Sequence, residues 1–151
     1  MLALIRELAE YERLAHEVTA TAEDVAGALF GERPDAEALL AFNDGEPVGF
    51  ALFFHNYSTF VGCRGLYLED LFVRPAARGL GIGQALLRRL AAVARERDCS
   101  RMEWAVLDWN APAIGFYQAL GAQAMDAWTV YRLDGANLAA LADGVAPEQN
   151  A

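Results

Sequence analysis

Four groups in this 151-residue chain have types and spacing suited to chemistry. They are the adjacent carboxylates Glu69 and Asp70 inside an apolar run, the segment Arg78-Gly79-Leu80-Gly81-Ile82-Gly83, Asn110 ahead of an apolar-faced stretch, and Tyr117 seven positions later. A strand, then Arg78-x-x-Gly81-x-Gly83, then a helix is an anion site on physical grounds. Glycine lets a ligand approach the backbone, and the first N–H groups of a helix have no internal partner. Those donors and the helix dipole favour phosphate, and Arg78 would add a cationic contact. A P-loop would end in Gly-Lys-Ser/Thr, and the chain has no Lys. A dinucleotide fingerprint would need a third glycine where Gln84 or Leu86 stands, although Glu103 lies about twenty residues on, where a ribose-binding acid would be. The bland reading is a tight strand-to-helix turn that binds nothing.

The carboxylates weigh against that reading. Alternation along a strand would put Leu66, Leu68, Asp70 and Phe72 on one side and Tyr67, Glu69, Leu71 and Val73 on the other, so each acid interrupts an apolar row. A buried acid needs a partner, water in a cleft, or a raised pKa. Acyl transfer to an amine needs these parts. Glu69 is the candidate base that takes the ammonium proton, directly or through water. A backbone N–H near Leu71, freed where the strand splays or bulges, would hold the oxyanion. Tyr117 is the candidate acid that protonates the leaving thiolate; an ordinary core tyrosine is the alternative.

The elements that must position these groups follow from periodicity. Leu4, Ile5, Leu8, Tyr11 and Leu14 predict an amphipathic helix over 4–14, and Thr21 with Glu23-Asp24 a capped helix ending near Gly31 and Pro34. Strands are expected over 38–42 and 48–56, joined by Asn43-Asp44-Gly45, with a polar stretch over 57–65 and a third strand over 66–73 that Pro75 ends. Ile82, Leu86, Leu90, Val93 and Ala94 line one face of the helix after the glycines, with Arg88, Arg89, Arg95 and Arg97 off it. A strand over 101–107, a helix capped by Asn110 and ended by Gly121, a strand over 128–133 and a short helix over 137–142 complete the pattern. One domain over 1–142 and a disordered tail over 143–151 are expected.

Composition narrows the partners. The formal charge is -9 and all 12 basic residues are Arg, which disfavours nucleic acid; such a field would attract a cationic small molecule, although most acidic proteins carry their charge simply for solubility. Cys63 and Cys99 form no C-x-x-C, His16 and His55 have no partner at ligand spacing, and no metal site is expected. No apolar run approaches a membrane span or signal peptide, so a cytoplasmic protein is expected.

The blocks Glu7-Leu8-Ala9-x-Tyr11-Glu12, Phe30-Gly31, Tyr57-Ser58-Thr59, Leu66 to Val73, Arg78-Gly79-x-Gly81-Ile82-Gly83, Trp109-Asn110-x-Pro112 and Phe116-Tyr117-x-x-x-Gly121 resemble the GCN5-related N-acetyltransferase (GNAT) superfamily, in its branch of diamine (spermidine/spermine) and thialysine acetyltransferases. The resemblance spans nearly the whole chain. It implies an α/β (α+β) fold with a mixed, mostly antiparallel central sheet flanked by helices, and acetyl-CoA as cofactor. It implies that the backbone of Leu71, Phe72 and Val73 and that of Gly79, Leu80, Gly81, Ile82, Gly83 and Gln84, with Arg78, hold the cofactor. Asn110, Pro112, Ala113 and Tyr117 would lie near the pantetheine and sulfur. Tyr11, Glu12, Glu69 and Asp70 would line the amine site, with Tyr117 as general acid, and two subunits would assemble as a homodimer.

Two departures stand out. The family begins with a strand before the first helix, whereas this sequence opens inside that helix, so the fold is expected without the usual first strand. After Tyr57 the polyamine enzymes carry an Asp and a Trp, where this chain has Ser58-Thr59-Phe60, which favours a shorter amine such as a lysine analogue. A non-catalytic acyl-CoA-binding module and a protein or peptide acetyltransferase are the competing readings.

Overall fold

The computed structural model describes residues 1–145. Most of the expected tail, 146–151, lies outside the described residues. The chain divides into two compact units, Met1–Ala105 and Val106–Ala151.

In the first unit, α1 spans Leu2–Tyr11. Leu4 and Leu8, one turn apart, bury their side chains against Phe50 and Phe72, and Met1, Ile5, Tyr11 and Leu52 pack around that cluster. The helix stops short of Leu14 because Arg13 turns left-handed at φ 63, and a 3-10 turn, Ala15–Glu17, follows. Arg74 fixes α1 to the sheet. Its Nε and Nη2 donate to the two carboxylate oxygens of Glu7 at 2.8 and 2.7 Å, and its Nη1 to the Pro47 carbonyl at 2.8 Å. Helix α2, Ala22–Phe30, starts on the expected capping box: Thr21 Oγ1 accepts from the Asp24 N–H, and Asp24 accepts from the Thr21 N–H.

Strands β1 (Glu37–Asn43), β2 (Glu46–Ser58), β3 (Cys63–Val73) and β4 (Met102–Glu103) form a four-stranded sheet in the order β1-β2-β3-β4. The first two pairings are antiparallel and the third parallel. The β1–β2 hairpin turns on Asp44 and Gly45, both at positive φ, as an Asp-Gly turn demands. β2 and β3 reach further into the polar stretch than its composition suggests, leaving only 59–62 as connection. Helix α3, Ile82–Glu96, buries Leu86, Leu87, Leu90, Val93 and Ala94 and packs on β2 and β3. At its end the Arg97 guanidinium forms a two-pronged ion pair with Glu37 on β1.

The strand expected over 101–107 shrinks to Met102–Glu103, paired only with Leu66 and Tyr67. Among the described residues, no strand precedes α1.

The second unit holds α4, Ala111–Ala119, and α5, Gly135–Ala142. The strand expected over 128–133 does not form. Val130 and Tyr131 are 87 and 91% exposed, and β propensity without a neighbouring ladder does not hold a strand. The N–H groups of Asp143, Gly144 and Val145 return to carbonyls of α5, so the described end of the chain closes that helix.

Candidate active site

The glycine turn needs its residue type for backbone conformation. Gly79 and Gly81 lie at φ 80 and 78, and Gly81 is the N-cap of α3. A Cβ at either position would meet no protein atom within 4 Å, so within the fold itself glycine is required for the left-handed turn. No side chain caps α3. Its first helical bond after the turn runs from Ala85 N–H to the Gly81 carbonyl, which leaves the N–H groups of Ile82, Gly83 and Gln84 at the mouth of a 15-residue helix. Leu80 is exposed beside them. Gly81→Ala is expected to destabilise the fold by about 1–2 kcal/mol through the left-handed penalty, measured by urea unfolding, and to weaken anion binding at the helix start. Unchanged stability would contradict the conformational account.

The rim of β3 supplies further donors. Arg74 N–H points at the Val48 carbonyl of β2, and backbone groups alternate along a strand, so those of Leu71 and Val73 point away from β2. Among the described residues, β4 ends opposite Tyr67, and no strand pairs with the Leu71–Val73 edge. The Arg78 Nε reaches this edge, donating to the Val73 carbonyl at 3.0 Å. The Phe72 side chain is buried in the α1 core, its ring 6.4 Å from that of Phe50.

A β-bulge at Glu69 sits just before that edge. Leu52 pairs with Asp70 while the next residue, Phe53, pairs with Leu68, so Glu69 is the extra residue with no cross-strand partner. The bulge overturns the simple alternation expected along β3. Phe50 and Leu52 face Phe72 and Asp70 on the α1 side; Phe53 and His55 face Leu68 and Leu66 on the other. Asp70 therefore shares its face with Phe72 but not with Leu66 or Leu68. Tyr67 crosses to the α1 face, where its ring lies 5.2 Å from that of Phe54.

This places acids together. Glu69 is exposed at the bulge, Asp70 is half-buried beneath α1, and Glu12 caps the end of α1 next to Tyr11. Burial first, then the charges of Glu69 and Glu12, push the Asp70 carboxyl up to about 6. Burial also raises Glu12. The Tyr11 ring carries the Arg78 guanidinium 4.6 Å from its centroid.

A raised folded-state pKa means that Asp70 costs stability once it ionises. That cost is absent below the ordinary aspartate range and complete above about pH 6. Asp70→Asn is expected to match the parent in stability at pH 3.5 and to exceed it by up to about 3 kcal/mol at pH 8. Denaturant titrations at the two pH values check this; an equal difference at both would contradict it.

In the second unit, Asn110 is buried and its Oδ1 accepts from the Ala113 N–H at 3.3 Å, capping α4 as expected, with Pro112 in the first turn. Tyr117 is half-buried on α4, its ring 5.5 Å from Phe116. Its carbonyl accepts from Leu120 and Ala122 N–H groups.

Glu103 is committed to the sheet. It accepts from Asn56 Nδ2 at 2.9 Å and Arg101 Nε at 2.7 Å, which removes it as a ribose acid. The Glu7–Arg74 clamp that positions α1 over Asp70 was not foreseen, since 67 positions separate the two residues and no local pattern links them.

A four-stranded mixed sheet flanked by helices, with a glycine turn feeding a helix start and an open strand edge at a bulge, is an architecture shared with acetyltransferases. Residues 2–122 match the Acetyltransferase (GNAT) family, and the chain belongs to it. It is similar to a thialysine N-epsilon-acetyltransferase of Bos taurus, 42% identical over 94% of this chain and 89% of that protein. It is also similar to an L-ornithine N5-acetyltransferase of Arabidopsis thaliana, 33% identical over 91% of this chain and 80% of that protein. Among solved structures, an integron cassette protein from the mobile metagenome of V. cholerae superposes with TM-score 0.76 at 31% identity, covering 90% of this chain and 85% of that one. Within the family the chain falls in the diamine/thialysine acetyltransferase-like branch and is an acetyl-CoA-dependent N-acetyltransferase. The uncapped start of α3 and the outward backbone groups of Leu71 and Val73 fit the anionic and amide portions of that cofactor. Among the described residues, no group of three or more His, Cys, Asp or Glu could hold a metal, and no helix is long and apolar enough to cross a membrane.

Proposed function

We propose that this enzyme acetylates the terminal amine of a small, lysine-like or ornithine-like cationic molecule, by direct attack on acetyl-CoA. The observation that carries this reading is the cluster of Glu12, Glu69 and Asp70 at the bulge, immediately before the open Leu71–Val73 edge. An ammonium group is attracted to those carboxylates, and the edge donors lie one residue further along the strand. Ser58-Thr59-Phe60 after Tyr57, and relatives named for thialysine and L-ornithine, support an amino-acid side chain over a polyamine.

Acetyl-CoA supplies an activated acyl group and a thiol leaving group. The backbone of Gly79 to Gln84 and Arg78 would hold the pyrophosphate, the Leu71 to Val73 backbone the pantetheine and acetyl carbonyl, and Asn110, Pro112 and Ala113 would serve the pantetheine. Tyr11, Glu12 and Asp70 bind the ammonium form of the acceptor. Glu69 accepts its proton, directly or through a water, and the free amine attacks. The Leu71 N–H would stabilise the oxyanion of the tetrahedral adduct formed as the C–N bond is made. Collapse of that adduct would break the C–S bond, Tyr117 would give its phenolic proton to the departing sulfur, and the second proton of the attacking nitrogen would pass through solvent to restore the phenol. The functional unit is a homodimer in this reading. Purified chain, acetyl-CoA and a panel of thialysine, lysine, ornithine, spermidine, an aminoglycoside and a basic peptide test it by thiol release. Thialysine or ornithine is expected to give the highest kcat/KM. Release with the peptide alone would favour a protein acetyltransferase, and CoA binding without release on any acceptor a binding module.

A further inference from the structure

We propose that Cys63 and Cys99 form a modification site, a thiol pair that a low-molecular-weight disulfide oxidises to one intramolecular disulfide bond. The two residues have the same offset in sequence as Leu66 and Met102, and as Tyr67 and Glu103, which pair in parallel between β3 and β4. The two chain segments stay together back toward the cysteines. Leu66 N–H donates to the Arg101 carbonyl and Ser100 N–H to the Arg64 carbonyl, both at 3.0 Å, so Cys63 and Cys99 each stand one residue before an end of the second bond. Neighbouring strands lie about 4.8 Å apart, inside the range of about 4.4–6.8 Å between Cα atoms that a disulfide spans.

Both backbones are held in place. Cys63 pairs with Ser58 at the start of β3, and the Cys99 N–H donates to the Ala94 carbonyl at 2.8 Å behind the left-handed Asp98, closing the end of α3. Both thiols are free and half-buried, within reach of a small reagent. Burial pushes the Cys99 thiol up while the Arg64 and Arg97 charges pull it down, and the charge of Cys63 is close enough to add to the rise. The same two guanidinium groups favour an anionic reagent at this corner.

The exchange has two steps. One cysteine thiolate attacks a sulfur of the reagent, forming a mixed disulfide and expelling one thiolate. The second cysteine thiolate then attacks the cysteine sulfur of that mixed disulfide and expels the other. Both cysteines are oxidised, the reagent is reduced to two thiols, and those thiols carry away the two cysteine protons. The new bond closes a loop that holds the rest of β3 with its bulge acids, the glycine turn and the whole of α3. Closing it restricts the unfolded chain, and the folding equilibrium is expected to shift toward the native state by about 30- to 10³-fold.

The test incubates the folded full chain with oxidised glutathione and follows it by mass spectrometry and urea unfolding. The parent is expected to lose two hydrogens without retaining glutathione, to yield a proteolytic fragment that joins Cys63 to Cys99, and to gain stability by the factor given. Excess reductant should reverse all three. Cys63→Ser and Cys99→Ser should each stop at one glutathione adduct, with no joined fragment. Unreacted thiols, two stable glutathione adducts on the parent, a link between two chains, or a linked chain no more stable than the reduced one would overturn the proposal.

Discussion

Tyr117→Phe is expected to lower kcat by about 10²–10³-fold while the dissociation constant for acetyl-CoA changes less than about two-fold. The substitution removes one oxygen. The ring that lies 5.5 Å from Phe116 remains, as do the backbone bonds from Leu120 and Ala122 to the Tyr117 carbonyl, so α4 keeps its packing. In the proposed mechanism the phenol is the proton donor for the leaving thiolate, a need that arises only as the C–S bond breaks. The loss should therefore fall on kcat and not on binding. A poorer leaving thiol would widen the deficit and a more acidic one narrow it. Intact turnover would return Tyr117 to an ordinary packed tyrosine, and lost cofactor affinity would make it a binding residue.

Glu69→Gln is expected to reduce kcat/KM by about 10²-fold near pH 7, with the deficit shrinking as pH approaches the pKa of the acceptor amine. Glutamine keeps size and polarity at the bulge but cannot take a proton. An acceptor that is already neutral needs no base, so high pH rescues the variant. Asp70→Asn should behave differently. Asp70, its carboxyl pushed up to about 6 chiefly by burial, lies beneath α1, and in the proposed reading its charge holds the acceptor, so its loss should raise KM several-fold with a smaller effect on kcat. In the parent, KM for the amine should rise as pH falls through about 6, because protonating Asp70 removes a charge from the acceptor's surroundings. Steady-state profiles from pH 5.5 to 9 separate these outcomes. A pH-independent deficit in Glu69→Gln together with a kcat collapse in Asp70→Asn would move the base to Asp70.

Local patterns in the sequence were sufficient where the physics is local. Thr21 with Asp24, Asp44-Gly45, Gly81 before Ile82, and Asn110 with Ala113 each fold as their residue types dictate, because capping and positive φ are decided within four residues. Side-chain direction along β3 was not legible. The extra residue at Glu69 is a property of the pairing with β2, and no feature of Leu68-Glu69-Asp70 announces it. That bulge is also what separates the exposed acid from the half-buried one, giving two adjacent carboxylates different environments. The strand expected over 128–133 failed for the same kind of reason: Trp128 to Leu133 has the composition of a strand, but a strand is made by its neighbour. The Glu7–Arg74 clamp and the Arg78–Tyr11 stack join residues dozens of positions apart, so only the folded chain reveals them.

The most direct test of the central claim is mass spectrometry of thialysine after incubation with acetyl-CoA and the purified full chain, with Glu69→Gln and Tyr117→Phe run in parallel. One acetyl group on the side-chain amine, formed stoichiometrically with free CoA and reduced at least about 10²-fold in both variants, is the predicted result. Acetylation at the α-amine, or equal product from the parent and both variants, would contradict the assignment of this site.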